Sequence, residues 1–343
     1  MSKTSKMTMK QLLDAMLNEE KPLHPSYIYR LSDLTEEDLD VLQKSWPKVA
    51  AWRRKAIMED VEEIGQNDYV LSFEEFARYG VQDNEPGVRE LAVRSLWEYE
   101  SRDLIPLYLE LLASEDNYNV RAAAATALGK YIFLGEIEEL PASTQRRIED
   151  RLLDIVNGKE NVLVRRRALE SLGFSSREEI PALIENAYNA GSVDWLVSAL
   201  FAMGQSANKD WTPWVISKLD SDNPEILLEA VRAAGELEIS ESVPRLIDLL
   251  EEDDYDLRMT AIWSLSQIGG EGVRARLEDL YDETDDEDEA DFIDSALDNL
   301  DFTEDIALFD LLEVPEEDEL DDAPGLLVLD EEDEEEANGD RKG

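Results

Sequence analysis

The chain has no cysteine and a single histidine, His24, among its 343 residues. The lack of cysteine excludes disulfides and thiolate metal sites and is typical of proteins of the reducing cytoplasm. A lone histidine is more often a surface or packing residue than a ligand. The part of the chain after residue 45 contains neither cysteine nor histidine, which excludes nucleophilic Cys–His and Ser–His pairs within it. We therefore expect neither a metal nor a cofactor.

Long apolar runs are missing too. No stretch approaches the roughly 18 apolar residues that a membrane helix needs, and the N-terminus has no segment like a signal peptide. From these absences we expect a cytoplasmic protein that does not enter a membrane. The glycines at positions 269, 270 and 272 lack the preceding strand of a phosphate-binding loop.

Positive charge is scarce. The chain has only 33 lysine and arginine residues but 82 aspartate and glutamate residues, which gives a formal net charge of −49. The segment 282–343 contains 29 acidic and 2 basic side chains, or −27, which leaves −22 for the part of the chain before it. Such a field repels polyphosphate, so nucleic-acid binding is disfavoured, whereas a protein partner with a basic surface is attracted.

The sequence is rich in internal repetition. One pattern recurs: an apolar residue, then often arginine, alanine three residues later, an apolar residue four further on, and often glycine. We call the arginine position the mark. The marks are Arg54, Arg89, Arg121, Arg165, Leu196, Leu227, Arg258 and Ile293. The three steps from Arg165 to Arg258 are equal, whereas the step before Arg165 is longer and contains an insertion near 133–144.

Proline residues indicate the start of a second helix in several units. Pro106, Pro181, Pro213 and Pro244 precede the marks at 121, 196, 227 and 258 by a nearly constant distance, and proline suits the first turn of a helix. Each unit thus predicts a helix A, a turn and a helix B. Because one pair cannot bury its own apolar stripe, stacked pairs must do so. The predicted fold class is all-α, an α-solenoid (α/α superhelix) of about eight helix pairs. The glycine after helix B suits a left-handed C-cap.

The motif Val-Arg-x-x-Ala-x-x-x-Leu-Gly, present at 120–129 and 164–173, resembles the short HEAT-like repeat of the phycobilisome (bilin) lyase type. The resemblance covers about residues 46–300. It implies B helices along a concave face. Members include chromophore lyase subunits, metal hydroxylases, DNA-glycosylase relatives and scaffolds. The hydroxylases bind iron through repeated His-Glu pairs and the glycosylase relatives use a basic face; these repeats have neither feature.

Helix B supplies candidate protein-binding residues. Positions one, two, five and six after the mark are expected to be more exposed than the alanine and leucine columns. The position five after the mark reads Arg94, Thr126, Glu170, Phe201, Arg232, Trp263 and Asp298. Arginine and aromatic residues dominate interface energies, so Arg94, Phe201, Arg232 and Trp263 are candidates for binding a protein. Alternatively, Phe201 and Trp263 only cover the core between repeats.

Six arginines lie close together in the irregular unit, between positions 146 and 167. Arg165 occupies the mark and is expected to pair with a neighbouring carboxylate. The other five are candidates for docking an acidic segment, including the protein's own tail: Arg146, Arg147, Arg151, Arg166 and Arg167. The alternative is ordinary salt bridging on the helix surface with Glu149, Asp150 and Glu170.

Both ends depart from the repeat. Residues 1–45 are predicted to form an N-terminal helical cap, and residues 46–301 the solenoid. A helix is expected from residue 9 to 17, and a capping box at Thr35 and Asp38. Residues 302–343 are predicted to be an acidic, disordered tail with a short amphipathic helix over 302–312. Its apolar side chains form a candidate tail motif: Ile306, Leu308, Phe309, Leu311 and Leu312. The alternative is a tail that only raises solubility.

These features predict a non-enzymatic scaffold or adaptor that binds a protein partner. Two rival functions stay open. A lyase-like chromophore-attachment factor, or another enzyme-associated subunit, agrees with the resemblance. Nucleic-acid binding through the arginine cluster is less favoured, because the charge of the chain opposes it.

Overall fold

The computed structural model describes residues 7–68 and 70–312, without the side chains of Glu98 and residues 304–312. Over these ranges all regular secondary structure is helical, which confirms the predicted all-α class. In the part of the chain so described, no helix combines the length and the apolar character needed to cross a membrane.

The chain begins with α1 (Met9–Leu17) and then alternates between two layers of helices. Layer A holds mostly the shorter helix of each unit. Its members are α2 (Glu36–Ser45), α4 (Glu74–Gly80), α6 (Leu104–Ser114), α8 (Ala142–Asn157), α10 (Ile180–Tyr188), α12 (Thr212–Ile216), α14 (Val243–Leu249) and α16 (Val273–Glu283).

Layer B forms a continuous row. Its members are α3 (Ala51–Asn67), α5 (Pro86–Ser95), α7 (Tyr118–Glu136), α9 (Val162–Leu172), α11 (Val193–Gln205), α13 (Pro224–Glu236), α15 (Tyr255–Ile268) and α17 (Glu287–Leu312). Each B helix packs against the next one, and from α5 onward each also packs against the A helix before it. This arrangement is the predicted α-solenoid, and every predicted mark lies in a B helix.

Two columns of the repeat form the core of layer B. The alanine three residues after the mark is fully buried in seven units, at Ala92, Ala124, Ala168, Ala199, Ala230, Ala261 and Ala296. The position four residues later is equally buried, at Leu96, Leu128, Leu172, Met203, Ala234, Leu265 and Leu300. Burying a leucine or methionine side chain contributes about 1.5–3 kcal/mol, so the repeat pattern is mainly a packing pattern.

The glycines after the leucine column do not end their helices in a left-handed turn. Gly129 and Gly235 lie inside B helices, and Gly173 caps α9 with φ of −53°. A Cβ atom on Gly173 would lie 2.8 Å from the Cα atom of Ala202 in α11, and one on Gly235 would lie 2.8 Å from that of Ser264 in α15. The C-cap prediction is therefore wrong, because these glycines serve close backbone approach between B helices.

Most mark arginines join one unit to the next. Each donates to a carbonyl in the turn before its own B helix and pairs with a carboxylate of the following unit. The pairs are Arg54–Asp83 at 2.8 Å, Arg89–Glu115 at 2.7 Å, Arg121–Glu160 at 2.7 Å and Arg258–Glu289 at 2.8 Å.

Arg165 departs from this arrangement. Its Nε atom donates to the carbonyl of Val156 at 2.9 Å, and its guanidinium lies 5.4 Å from the ring centroid of Trp195. No carboxylate pairs with it within the described residues, so the expected ion pair is replaced by stacking on an aromatic ring of the next unit.

The long step before Arg165 arises from longer helices. α7 has 19 residues and continues beyond the repeat motif to Glu136, and α8 has 16. The insertion near 133–144 comprises the end of α7, a turn and the start of α8. In the added part of α7, Phe133 packs against Phe174 with ring centroids 5.9 Å apart.

A buried arginine holds the N-terminal segment. Residues 9–17 form α1 as predicted, and Thr35 and Asp38 form the predicted capping box of α2. Arg53 of α3 is 3% exposed and donates to four backbone carbonyls in the last turn of α1 and just after it. They belong to Ala15, Met16, Asn18 and Lys21, at 3.0, 3.5, 2.6 and 2.6 Å. These bonds satisfy carbonyls that a helix end leaves free.

At the other end, α17 runs unbroken across the predicted boundary between residues 301 and 302. The backbone of residues 302–312 is helical, as expected for the amphipathic segment. The side chains of the candidate tail motif, Ile306 to Leu312, and all of residues 313–343 lie outside the described residues.

Candidate protein-binding face

The position five after the mark lies on the free side of layer B. Arg94 and Trp263 are exposed, Trp263 to 39%, while Phe201 and Arg232 are half-buried. Glu170 departs from the expectation, since it is only 5% exposed. We call the side of layer B that carries this column the B-helix face.

The prediction that the position six after the mark is exposed is wrong. It is almost fully buried at Ala127, Ser171, Ala202, Ala233 and Ser264. The physical reason is the tight spacing of layer B, since this position faces the preceding B helix. The hydroxyls of Ser171 and Ser264 donate to backbone carbonyls of that helix at 2.9 and 3.0 Å.

A first groove of about 360 Å³ crosses α3, α5, α7 and α9 on this face. It contains two predicted binding residues, Arg94 and Arg167. The apolar lining residues are Val93, Trp97, Ala122, Ala123, Ala127 and Leu163. The other polar lining residues are Glu62, Gln66, Glu90, Asn119 and Thr126.

Both arginines of the first groove are already paired with carboxylates. Arg94 Nε lies 2.7 Å from Glu62 Oε1, and Arg167 Nη1 lies 2.5 Å from Glu170 Oε2. Burial raises the pKa of Glu62, and repulsion from Glu90 adds to the rise although Arg94 opposes it. Among the charged lining residues of this groove, Glu90 alone has no ion pair in the described part of the chain.

A buried polar cluster joins α9 to α11. The Ser198 hydroxyl donates to Glu170 Oε1 at 2.6 Å, and Arg166 Nε donates to the Ser198 oxygen at 2.9 Å. Arg166 Nη1 also lies 2.6 Å from Asp194 Oδ1. Arg166 is therefore held between two B helices and has little free surface to offer a partner.

Glu229 of α13 is a buried carboxyl with one free oxygen. It is 7% exposed, its Oε2 accepts from Arg232 Nη1 at 2.9 Å, and its Oε1 has no hydrogen-bond partner in the described structure. Burial raises its pKa to about 7, partly offset by Arg232 and reinforced by Glu170. A carboxyl in this position changes its charge near neutral pH.

A second groove of about 450 Å³ crosses α13, α15 and α17. It contains the predicted residues Arg232 and Trp263. The ring of Trp263 lies 6.2 Å from that of Phe292, centroid to centroid, with 47° between their planes. The other lining residues are Gly235, Glu236, Met259, Thr260, Ser264 and Gln267. Phe201, on α11 between the two grooves, lines neither of them.

The arginine cluster of the irregular unit is divided between the layers. Arg146 and Arg147 are exposed on α8 of layer A. Arg151, also on α8, donates to the carbonyl of Leu112 at 2.7 Å and so links α8 to α6. Arg165, Arg166 and Arg167 lie on α9 of layer B. The structure therefore does not present the cluster as one basic surface.

The predicted salt bridges of this cluster are correct only for Glu170. Glu149 and Asp150 pair instead with Arg177, at 3.7 and 2.5 Å. Arg177 lies in the turn before α10, outside the sequence cluster, where helical spacing from α8 gives no indication of it.

Several groove residues are not among the candidates predicted from the sequence. Glu62, Trp97, Glu236 and Gln267 stand eight or nine residues after a mark, and Glu90 and Met259 stand one after it. Together with the position five after the mark, these positions form one helical stripe. Position one after the mark is already expected to be exposed, and extending the spacing from the fifth position by one further turn would have found the others. Among the described residues, no cluster of side chains is suited to hold a metal ion.

Comparison with protein families gives one match, to HEAT repeats, over residues 77–146, 180–255 and 212–295. No curated protein matches the chain. Several solved structures are similar in fold. The CpcE–CpcF complex of phycocyanin lyase from Nostoc sp. PCC7120 is 19% identical with a TM-score of 0.45, over 66% of this chain and 94% of that one.

Two further solved structures extend the comparison. Human deoxyhypusine hydroxylase is 15% identical with a TM-score of 0.34, over 76% of this chain and 95% of that one. Yeast importin-beta (Kap95p) is 12% identical with a TM-score of 0.41, over 85% of this chain and 46% of that one. Scores and identities this low carry no functional argument, so these likenesses concern the helical solenoid alone.

Proposed function

This chain belongs to the HEAT-repeat proteins, and we propose that it is a non-enzymatic scaffold whose B-helix face binds a basic segment of a partner protein. Solenoids of stacked helix pairs provide extended surfaces suited to such binding. The proposal includes Arg94, Arg167, Arg232 and Trp263 as groove residues. Phe201 and the exposed Arg146 and Arg147 stay predictions as binding residues.

One observation carries the proposal: two grooves open on the same face, and each is built by successive B helices. A segment lying along the row would contact several units at once. Since Arg94, Arg167 and Arg232 already pair with Glu62, Glu170 and Glu229, the remaining Glu90 and Glu236 leave an excess of negative charge. That excess, and the net charge of −49, favour a basic segment.

The test compares matched variants in affinity capture with quantitative mass spectrometry. Glu90→Gln combined with Trp97→Ala alters the first groove. Glu185→Gln combined with Tyr281→Ala makes the same kind of change on exposed layer A residues. We expect the first variant to lose partners that the second retains. Equal retention by both variants, and by a variant altered in the second groove, would refute the proposal.

A lyase-like function and the engagement of the tail, either with a partner or with the protein's own surface, stay open as proposals of the second rank. The first would require a bound tetrapyrrole, which absorbance spectra of the purified protein detect. Nucleic-acid binding loses its main support, because the arginines that suggested it are divided between two layers and partly engaged with carboxylates and carbonyls.

A further inference from the structure

The second groove combines two aromatic rings with a carboxylate. Trp263 is 39% exposed and its ring lies 6.2 Å from that of Phe292. The two rings come from neighbouring B helices, α15 and α17. The faces of such rings carry negative electrostatic potential and attract cations within about 6 Å.

Glu236 supplies the charge. It lines the groove from α13 and has no hydrogen bond or ion pair within the described residues. Its pKa is raised by partial burial although Arg232 opposes the rise. Because Glu236 is exposed and unpaired, its carboxylate is free to pair with a cation placed beside it.

Arg232, the basic residue of this groove, does not cancel that charge. Its guanidinium is engaged by Glu229, Nη1 to Oε2 at 2.9 Å. The other Glu229 oxygen is buried and has no partner in the described structure. Two carboxyls thus face one guanidinium, and the remaining polar lining residues, Thr260, Ser264 and Gln267, are neutral.

We propose that the second groove is a pocket for a lysine or arginine side chain of a basic partner segment, with its cationic group against Trp263 and hydrogen-bonded to Glu236. The neighbouring Phe292 forms the second aromatic contact. The inference rests on the proposed function, because it assigns one side chain of the segment to one place on the B-helix face. An acidic segment in the groove, including residues 313–343, would be repelled by the unpaired carboxylate of Glu236 and is disfavoured.

The test uses the absence of cysteine, since one introduced thiol is then the only site for a fluorophore. Gln267→Cys places the dye in the groove, and Glu185→Cys places it on layer A. The probe is oligolysine, with acetylated oligolysine as the uncharged control. We expect oligolysine alone to change the emission of the dye at position 267, and neither peptide to change it at position 185.

Unlabelled variants identify the contacts by fluorescence anisotropy of labelled oligolysine. Glu236→Gln and Trp263→Ala should each raise the Kd by about three- to tenfold, the range expected for replacing a charge-assisted hydrogen bond by a neutral one or for losing one partly exposed cation–π contact. Glu185→Gln and Tyr281→Ala should change the Kd by less than about twofold. Because Glu236 is exposed, its variant reports on binding even if Trp263→Ala unfolds the last units.

Equal weakening by Glu236→Gln and Glu185→Gln would overturn the pocket, because binding would then follow overall charge alone. So would a dye signal at position 267 that changes on dilution without peptide, which would indicate a second copy of the chain in the groove. If the peptide result fails while partner capture still depends on the first groove, only the pocket is wrong. If capture depends on neither groove, the proposed function fails as well.

Discussion

At the scale of single residues, buried charge separates structural side chains from candidate functional ones. Arg53 and Arg54 are buried, and their donors are met by backbone carbonyls or by Asp83. Glu229 is equally buried, yet one of its oxygens has no partner in the described structure. An incompletely bonded carboxyl lowers stability when ionised, so Glu229 costs the fold stability at a position next to the groove residue Arg232.

The pKa of Glu229, raised by burial from its ordinary value of 4.5 to about 7, predicts how stability depends on pH. Between these values the folded state holds a proton that the unfolded state has released, so stability falls as pH rises through this window and levels off above about 7. We expect Glu229→Gln to be more stable than the wild type at pH 8 by about 1–3 kcal/mol, with the difference shrinking towards pH 5.

Urea denaturation of both proteins at the two pH values measures this effect. Glu225→Gln, an exposed change on the same helix, corrects for the general repulsion within an acidic chain. A difference between Glu229→Gln and the wild type that does not change between pH 5 and pH 8 would show that Glu229 is charged in both the folded and the unfolded state.

Arg53 gives a second prediction at this scale. Arg53→Ala removes the donors to the carbonyls of Ala15, Asn18 and Lys21. We expect α1 to lose protection in hydrogen exchange by roughly tenfold or more, since bonds to a charged donor contribute about 1.5–3 kcal/mol each. Lys55→Ala, an exposed change two residues further along α3, should leave α1 protected. Unchanged protection in Arg53→Ala would mean that apolar contacts alone hold the cap.

At the scale of helices, the close spacing of the B helices depends on glycines, which have no side chain at the contact. In α13, Gly235→Ala would bring a Cβ within 2.8 Å of the Cα atom of Ser264. In α3, Gly65→Ala would meet nothing closer than 3.8 Å. Both positions are helical, so alanine raises helix propensity equally at each.

We therefore expect the two glycine variants to change the stability of the protein in opposite directions. Gly235→Ala should destabilise the protein by about 1–3 kcal/mol through overpacking, whereas Gly65→Ala should stabilise it by about 0.5–1 kcal/mol. Thermal denaturation followed by circular dichroism measures both. A stabilised Gly235→Ala variant would show that the B helices can separate at little cost.

At the scale of the whole molecule, the charge distribution sets how partners approach. Residues 313–343 carry 15 acidic and 2 basic side chains. Deleting them should slow the association of oligolysine and weaken its salt dependence, because long-range attraction falls with net charge. The Kd of Glu236→Gln divided by the Kd of the protein with Glu236 should be the same with and without residues 313–343. Stopped-flow measurements at several salt concentrations test this. A Kd ratio that changes on deletion would mean that the effect of Glu236 depends on residues 313–343.

The sequence predicts the fold well, because the alanine and leucine columns repeat a local packing requirement. Ala168 and Leu172 are buried for the same reason as Ala124 and Leu128. The site is predicted less completely. Contacts between units, such as Arg165 on Trp195 or Arg177 with Glu149, depend on how far one unit is rotated against the next. Helical spacing within one unit can place Glu236 on the B-helix face, but it contains no information about that rotation, so it does not predict that Glu236 and Phe292 share a groove with Trp263.

The glycine contacts of layer B also have a mechanical consequence. Where the backbone of one helix touches the next, as at Gly173 and Ala202, no flexible side chain remains to be compressed. The B helices pack against one another more extensively than the A helices do. Under tension the stack should therefore bend with layer B as its stiffer side, and the A helices should separate from one another first. Such bending would change the width of both grooves together, so pulling on the ends of the chain would act on its affinity for a partner.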